Sequence, residues 1–458
     1  MRRLLLGWEL LRAEGVRGMQ ERLADRRATL AQRRAEKEVS LGELLEPGAR
    51  IAVLDVLATP LAPRFGGVPT QLGPRLAEEE RLRPTALLSP EADGWTLHTV
   101  RRGARLRARL GPCRGSVDPR DGLRADVPTV VEAATRIGAG VVNLEGLAGW
   151  PPDALGSLAN GPRKLVLSLH DFALYCPRPN LVEEPHGRFC GYSADAARCR
   201  ACLAASWPLP AGFVEAWRRA AGALLASADA AVYPSEFLRR QHSALFGVAS
   251  RLERVIAPPA PGEAPADSST GSPASSGGGK EPFHVAFVGA YRPHKGALVF
   301  EELLGRHSGS AARPVRWSIY GSGDPGLLLR AKGLGARVRG HYRAGGLVRR
   351  LREERVDLAL LLSVWPETFS LTLSECRAAG VPVLAFEHGA IADRVHAEGG
   401  GVLVPLEEGA AGVDGALRRL LAGELELAPL RGNRAEPSAS QAAVERLALY
   451  RELLGEAP

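Results

Sequence analysis

VWPETFSLTLSECRAAGVPVLAF (364–386) follows one apolar run, DLALLLS (357–363), and ends in another, GVPVLAF (380–386). Each run is short and uninterrupted, the pattern of a strand buried on both faces of a sheet. Between them the spacing predicts a loop, VWPETF, and a helix that begins around Ser370. Strand, loop, helix and strand form the repeating unit of a parallel sheet. Two carboxylates lie in this stretch, Glu367 just before the helix and Glu375 about a turn and a half into it. Free N–H groups at a helix start attract phosphate. The two glutamates can therefore contact different ends of one elongated ligand lying across that start.

Outward from this stretch the same unit recurs. FHVAFVGAY, VRWSIYGSG, ARVRGHY, VDLALLLS, VPVLAF and GVLVP read as strands with helical segments between them. Residues 257–282, rich in Pro, Ser and Gly, have little to bury and read as a linker. Before it, IAVLDVL, TALLS, GVVNLEG, KLVLSLHD and AAVYPS repeat the alternation. The glycine turn RFGGVPTQL (64–72) joins the first of these strands to a helix. The expected fold is α/β, with two doubly wound Rossmann-like domains facing across a cleft. Ligands of open parallel sheets lie beyond the carboxyl ends of the strands. The expected boundaries are a helical basic arm at 1–40, an amino-terminal domain at 41–256 with a cysteine-rich insert at 176–202, and a second domain at 283–437. A final helix at 438–458, capped by Ser438 or Ser440, is expected to pack back on the first domain.

Composition sets limits. At about 150 residues per domain, 458 residues suggest three domains or two large ones. The net charge is +8, and only five of the 59 basic residues are lysine. Arginine suits bidentate recognition of phosphate or carboxylate. No RNP motif or basic zipper is present, so nucleic acid is not an expected partner. The opening MRRLLLGWELLRAEG is interrupted by Glu9 and leads to no small-residue cleavage site. No run reaches the ~18 apolar residues of a membrane span. The expected location is the cytoplasm, with peripheral contact at the inner face of the membrane as an added option. The arm reads first as a helix packed on the body, and second as a membrane-surface attachment. HTVRRGARLRARLGP (98–112) reads as a solvated basic strand pair, with docking of an anionic acceptor as the alternative.

ETFSLTLSE (367–375) resembles the E-x7-E signature of GT-B glycosyltransferases, specifically the retaining GT4-like family of glycosyl transferases group 1. AAGVPVLAFEHGAIAD, FVGAYRPHKG, IYGSGD and VRGHY are similar to further segments of that family in order and spacing. In the first half the matching residues are GG at 66–67, LHD at 169–171 and ADAAVYPSEFLRR at 228–240. The resemblance spans about 50–455 and is most specific in the carboxy-terminal half. It implies that Glu375 accepts hydrogen bonds from the nucleotide ribose and that Glu367 holds donor-sugar hydroxyls. Backbone amides of Phe369 and Ser370 would line the sugar, and those of Leu371 and Thr372 would reach the phosphates. Lys295 would neutralise the diphosphate, Gly66 and Gly67 would let the backbone approach it, and His170 would lie over the sugar near the acceptor. Fixed cations and helix amides stabilise the departing nucleoside diphosphate without rearrangement, so no catalytic divalent metal is expected. The chain departs from the family at Ala290, where arginine is usual. Arg292 is the nearest substitute. Ser370 replaces a common glycine and Asp393 a common glutamate.

LYCPRPNLVEEPHGRFCGYSADAARCRACL (174–203) holds Cys176, Cys190, Cys199 and Cys202. Four cysteines ending in Cys-x-x-Cys fit a tetrahedral structural zinc site, with His186 as a substitute ligand. Four unlinked thiols are the other reading. The function implied by the resemblance is transfer of a sugar from a UDP- or GDP-sugar to a glycan or lipid-linked acceptor, with retention, in cell-surface polysaccharide or lipopolysaccharide assembly. The alternatives are sugar-nucleotide epimerisation on the same fold, and a silent nucleotide-sugar-binding subunit.

Overall fold

A computed structural model of the chain describes residues 2–44, 51–60, 67–101, 104–259, 281–307, 314–343, 345–427 and 436–456. They form two compact units. The carboxy-terminal unit comprises 1–28, 187–189 and 260–435, and the amino-terminal unit comprises 29–186, 190–259 and 436–458. Most of the expected linker, together with Gly66, lies outside the described residues.

The carboxy-terminal unit is built on six parallel strands. In sheet order they are Arg337–Gly340, Val315–Tyr320, Phe283–Val288, Leu358–Leu361, Val383–Phe386 and Gly401–Val404. Their continuous apolar runs follow from burial on both faces. Val285 and Phe287 enter one core with Ile319, Leu358 and Leu360, whereas Ala286 and Val288 enter another with Tyr320, Ala359 and Leu361. Burying each such leucine or phenylalanine contributes about 1.5–3 kcal/mol. The strand order reverses between Phe283–Val288 and Leu358–Leu361. Crevices for ligands open at that reversal in doubly wound sheets. The loops leaving these two strands carry Lys295 and Glu367.

The amino-terminal unit has a nine-stranded sheet. Its parallel part runs from Thr85–Glu91 through Val53–Leu57, Val141–Glu145, Lys164–Ser168 and Ala230–Tyr233 to Leu252–Val255. Gly94–Arg101 and Ala104–Gly111 extend it as an antiparallel hairpin, and the two-residue strand Lys37–Glu38 pairs parallel with Ala104–Gly111 at the edge. The sequence suggested a solvated basic pair here. Ala104, Arg105 and Arg109 are exposed, but Ala108 and, on the neighbouring strand, Trp95, Thr96, Leu97 and Thr99 are buried. Alternation of arginine with apolar residues marks the outer strand, and the inner one packs on the core. The last helix, Ala439–Leu454, is capped by Ser438 in a reciprocal box with Gln441. It sets Leu447, Leu449 and Tyr450 against Val53, Val141 and Val166.

The arm helix, Arg2–Ala35, breaks its helical backbone at Gly15 (φ 71°). Residues 1–28 join the carboxy-terminal unit, and Ala13 is buried in that unit's core.

Candidate functional site

In the carboxy-terminal unit, Lys295 ends a 3-10 turn, Pro293–Lys295, that is pressed against a strand end. A Cβ on the next residue, Gly296 (φ +89°), would stand 1.9 Å from the Leu362 carbonyl oxygen, so only glycine fits. That close approach brings the Lys295 ammonium onto Glu367 Oε1 as an ion pair, beneath the Trp365 ring at 4.9 Å. Ser363 Oγ donates to the same oxygen at 2.5 Å. Burial pushes the Glu367 carboxyl up, but the Lys295 charge and the Lys295 and Ser363 hydrogen bonds outweigh it and hold the pKa below its ordinary value. His294 and His388 nearby are pushed down to about 4, chiefly by burial, and stay neutral at pH 7.

The Glu367 loop is braced from behind. Ala390 N–H donates to the Glu367 carbonyl at 2.7 Å. A Cβ on Gly389 (φ +64°) would lie 2.7 Å from Glu367 N. Arg394 donates to the carbonyls of Phe369 (3.0 Å) and Ser370 (3.2 Å), reaches Ser374 Oγ and stacks on the Phe369 ring. The helix Leu371–Ala379 then starts at Ser370, whose φ is 73° and whose hydroxyl accepts from Leu373 N–H at 3.3 Å. The backbone N–H groups of Leu371 and Thr372 make no hydrogen bond within the described residues. Thr372 Cγ2 stands 3.5 Å from where a Cβ on Gly289 would lie, which places the first strand's glycine turn beside the helix start.

Glu375 differs from Glu367. It is 6% exposed, yet its carboxylate makes no hydrogen bond or ion pair among the described residues. Burial pushes its pKa up to about 8. A nearly buried carboxyl without a donor is costly unless a ligand supplies one.

In the amino-terminal unit, His170 follows the strand Lys164–Ser168. Its Nε2–H donates to Glu145 Oε2 at 2.8 Å, and Gln71 Nε2 stands 3.3 Å from Nδ1. Glu145 is fully buried. Burial alone would raise its pKa, but Arg75, Arg446 and His170 hold it well below the usual range. Arg75 lies 2.6 Å from Glu145, 3.0 Å from Glu79 and 3.6 Å from Asp55. Asn143 ties Asp55 to Glu145, and Arg446 donates to Ser168 Oγ at 2.6 Å. A small cleft lined by Gln71, Glu145, His170, Pro234, Pro258 and Ala442 opens above this network. Asp171, adjacent in sequence, caps the following turn through Ala173 N–H instead.

Residues 282–423 match the family model described as Glycosyl transferases group 1. This region is a group 1 glycosyltransferase domain, and the chain has the GT-B fold. No curated protein sequence matches the chain. Among solved structures, sucrose-phosphate synthase from Thermosynechococcus elongatus aligns over 88% of this chain and 99% of its own, with 17% identity and a TM-score of 0.60. An α,α-trehalose-phosphate synthase (UDP-forming) from Burkholderia xenovorans, in complex with glucose-6-phosphate, covers 88% and 100% at 12% identity, with a TM-score of 0.55. Anabaena HepE in complex with UDP and glucose covers 88% and 96% at 16% identity, with a TM-score of 0.51.

Within the carboxy-terminal unit, Lys295, Glu367, Phe369, Ser370, Leu371, Thr372 and Glu375 occupy one loop-and-helix region beside the sheet reversal. Arg292 is exposed just before the Lys295 turn. Gly67 is the first residue of the helix Gly67–Leu82. Sequence reasoning missed Ser363, Arg394, Gln71, Glu145, Arg75 and Arg446. Glu145 did carry a signal, a charged residue at the end of a predicted buried strand just before a glycine. Arg446 carried none, because it lies 276 positions from His170 in sequence.

Cys176, Cys190, Cys199 and Cys202 line one pocket together with Arg178, Leu203 and Arg218. Backbone N–H groups of Arg178 and Glu184 point at Cys176 and Cys202 sulfurs, each at 3.4 Å. Burial, reinforced by the neighbouring thiols, pushes Cys176 up to about 12. Among the described residues, however, no three such side chains are arranged to hold a metal ion. No described helix is long and apolar enough to cross a membrane.

Proposed function

We propose that this chain transfers a sugar from a UDP- or GDP-sugar to a glycan or lipid-linked acceptor with retention, in cell-surface polysaccharide or lipopolysaccharide assembly. The observation that carries the donor assignment is Glu375, an almost buried carboxyl without a donor among the described residues, on the helix whose free N–H groups lie beside the Lys295–Glu367 pair. Ribose hydroxyls supply the donors Glu375 lacks. The free amides of Leu371 and Thr372, together with Lys295, take the diphosphate, and Arg292 adds a second cation at the rim. Charge growing on the leaving diphosphate meets groups already oriented toward it, which lowers the barrier without a divalent metal. Glu367, kept ionised by Lys295, holds sugar hydroxyls. Phe369 and Ser370 amides complete that end, and His170, fixed by Glu145, serves the acceptor side. Gly66 and Gly67 are assigned to backbone approach to the diphosphate. The acceptor-side assignments rest on the family resemblance.

The test is direct. UDP and GDP are screened for thermal stabilisation, then nucleoside diphosphate release is followed with UDP- and GDP-sugars and candidate acceptors. Turnover that depends on an acceptor and is lost in Glu367→Ala and Lys295→Ala supports transfer. Isomerised sugar nucleotide without acceptor means epimerisation, and binding without release on any acceptor means a silent subunit.

A structural zinc ion drawing together Cys176, Cys190, Cys199 and Cys202 is the second part of the proposal. The four thiols line one pocket, and a tetrathiolate would clip the insert there. Metal analysis of protein purified without chelator decides it, and well under one equivalent of zinc rejects the site.

A further inference from the structure

The amino-terminal arm does more than cover the carboxy-terminal unit. It holds a loop next to the proposed ribose carboxylate. Gly18 packs on Gly340: a Cβ on Gly340 (φ +72°) would stand 2.9 Å from Gly18 Cα, and one on Gly18 would stand 3.2 Å from Gly340 Cα. Around this backbone contact the arm's acids meet the loop's bases. Asp25 pairs with His341 Nε2. Glu21 lies 3.0 Å from Arg350 and 3.4 Å from Arg343. Glu14, 2% exposed, accepts from the His341 backbone N–H at 3.4 Å. Arg350 is itself buried and donates back to the His341 carbonyl at 3.3 Å. Deleting its partner would leave a buried guanidinium uncompensated, so this contact outweighs the exposed Arg343 pair.

The residue between the gripped positions is Tyr342. It turns the other way and packs on the core cluster that holds Leu373 and Cys376, next to Glu375 on the same helix. The arm and the Glu375 helix thus hold successive residues of one short loop.

We propose that the arm is a positioning element of the donor site: by fixing residues 341–343 it sets Tyr342 against the ribose end and tunes nucleotide affinity. This rests on the reading of Glu375 as the ribose group. The arm touches the loop and not the reacting atoms, so its loss should act on binding and leave the chemical step alone.

The experiment uses the full chain with Glu21→Gln and Asp25→Asn combined, and UDP as the probe. UDP affinity should fall about tenfold, the scale of coupling between contiguous elements. KM for the nucleotide sugar should rise to match, with kcat changed less than about twofold. The charge-preserving pair Glu21→Asp and Asp25→Glu should recover most of the affinity. Because Glu21→Gln could loosen the fold through Arg350, Arg343→Gln supplies a loop-side variant at an exposed position, and it should shift UDP affinity in the same direction. Parental UDP affinity in both charge-neutral variants overturns the proposal, as does an equal loss of kcat with unchanged KM. Glu375→Gln separates the two readings. If it weakens UDP while the arm variants do not, only the arm inference fails. If it too binds UDP like the parent, the ribose assignment fails and the arm inference with it.

Discussion

The two units arrange buried charge in opposite ways. In the amino-terminal unit, Asp55, Glu79 and Glu145 surround Arg75 and Arg446, and polar side chains bridge most of what remains. That network pairs each carboxylate with Arg75, though Asp55 Oδ2 and Glu79 Oε2 are left without a hydrogen bond among the described residues, and it fixes His170 through Glu145. At the loop-and-helix region of the carboxy-terminal unit one cation, Lys295, answers one carboxylate, Glu367, while Glu375 eight residues later has no partner among the described residues. A network in which each carboxylate faces a guanidinium holds geometry, whereas a carboxyl with no cation beside it and two free helix amides leave interactions for a ligand to complete. The contrast suggests that stability is at risk in the first region and binding energy in the second.

The strongest way to break this contrast is to open the paired network. Arg75→Met removes the central cation and leaves three carboxyls buried around it. Breaking one side of a buried ionic cluster costs about 3–5 kcal/mol, and the expected result is a much lower midpoint in thermal or denaturant unfolding. The pH dependence carries the same signature. Burial raises Asp55 to about 6 and Glu79 to about 8, so the folded chain keeps protons that the unfolded chain has released. Their contribution is fully present below the ordinary carboxylate range and is lost as pH rises toward 8. Glu145, held low, works in the other direction and loses its contribution only in acid. His294 and His388, pushed down to about 4, gain stability as pH rises to about 6.5, so the carboxyls are read above that: unfolding at pH 6.5, 7.2 and 8 should show stability declining, and a rise would contradict the assignment.

Next in size is the loss of the open site's cation. Lys295→Ala removes the charge proposed to face the leaving diphosphate, and Glu367→Ala removes its partner. Each should lower kcat by about 10²–10³, the usual scale for one preorganised charge-stabilising group. Unfolding should change far less than in Arg75→Met. If turnover survived in both variants, the region would not be where the sugar leaves its nucleotide.

Glu375 gives a smaller and sharper test. At pH 7 a carboxyl with a pKa near 8 is mostly protonated. Hydrogen bonds from ribose hydroxyls favour the ionised form, so UDP binding should release part of a proton. Calorimetry at pH 7 in buffers of different ionisation enthalpy reads that release directly. Glu375→Gln should abolish it and weaken UDP about tenfold, the worth of a hydrogen bond to a charged group. Proton uptake, or release unchanged in the variant, would place the ribose elsewhere.

The same contrast explains what could be read from the residues alone. The carboxy-terminal site is local: a strand end, a loop and one helix turn bring Glu367, Ser370 and Glu375 together, and its strands are continuous apolar runs because both faces are buried. Lys295 comes from 72 positions away, yet the glycine turn that delivers it has a recognisable pattern. Arg394 was illegible because its function is to brace carbonyl groups, which no side-chain pattern announces. The amino-terminal network draws on residues 55, 71, 75, 145, 170 and 446, and only tertiary packing makes them neighbours. Where the arm packs was illegible for a related reason. Its attachment depends on two glycines meeting, Gly18 and Gly340, and on acids spaced for bases more than 300 residues away.

The smallest expected effect concerns Ser370, which opens the helix at a φ of 73° where a side chain is strained. A left-handed residue with a Cβ costs about 1–2 kcal/mol, and the hydroxyl's bond to Leu373 N–H returns part of that as an N-cap. Ser370→Gly removes the strain and the cap together, and adds roughly 0.5–1 kcal/mol of backbone entropy lost on folding. These terms nearly cancel, so the glycine variant should unfold within about 1 kcal/mol of the parent. Ser370→Ala keeps the strain and loses the cap, and should be about 1 kcal/mol less stable than the parent. The order glycine above alanine is the informative result. If alanine proved the more stable, the backbone angle at 370 would be unstrained, and the loop carrying Glu367 would be held by Arg394 and Gly389 alone.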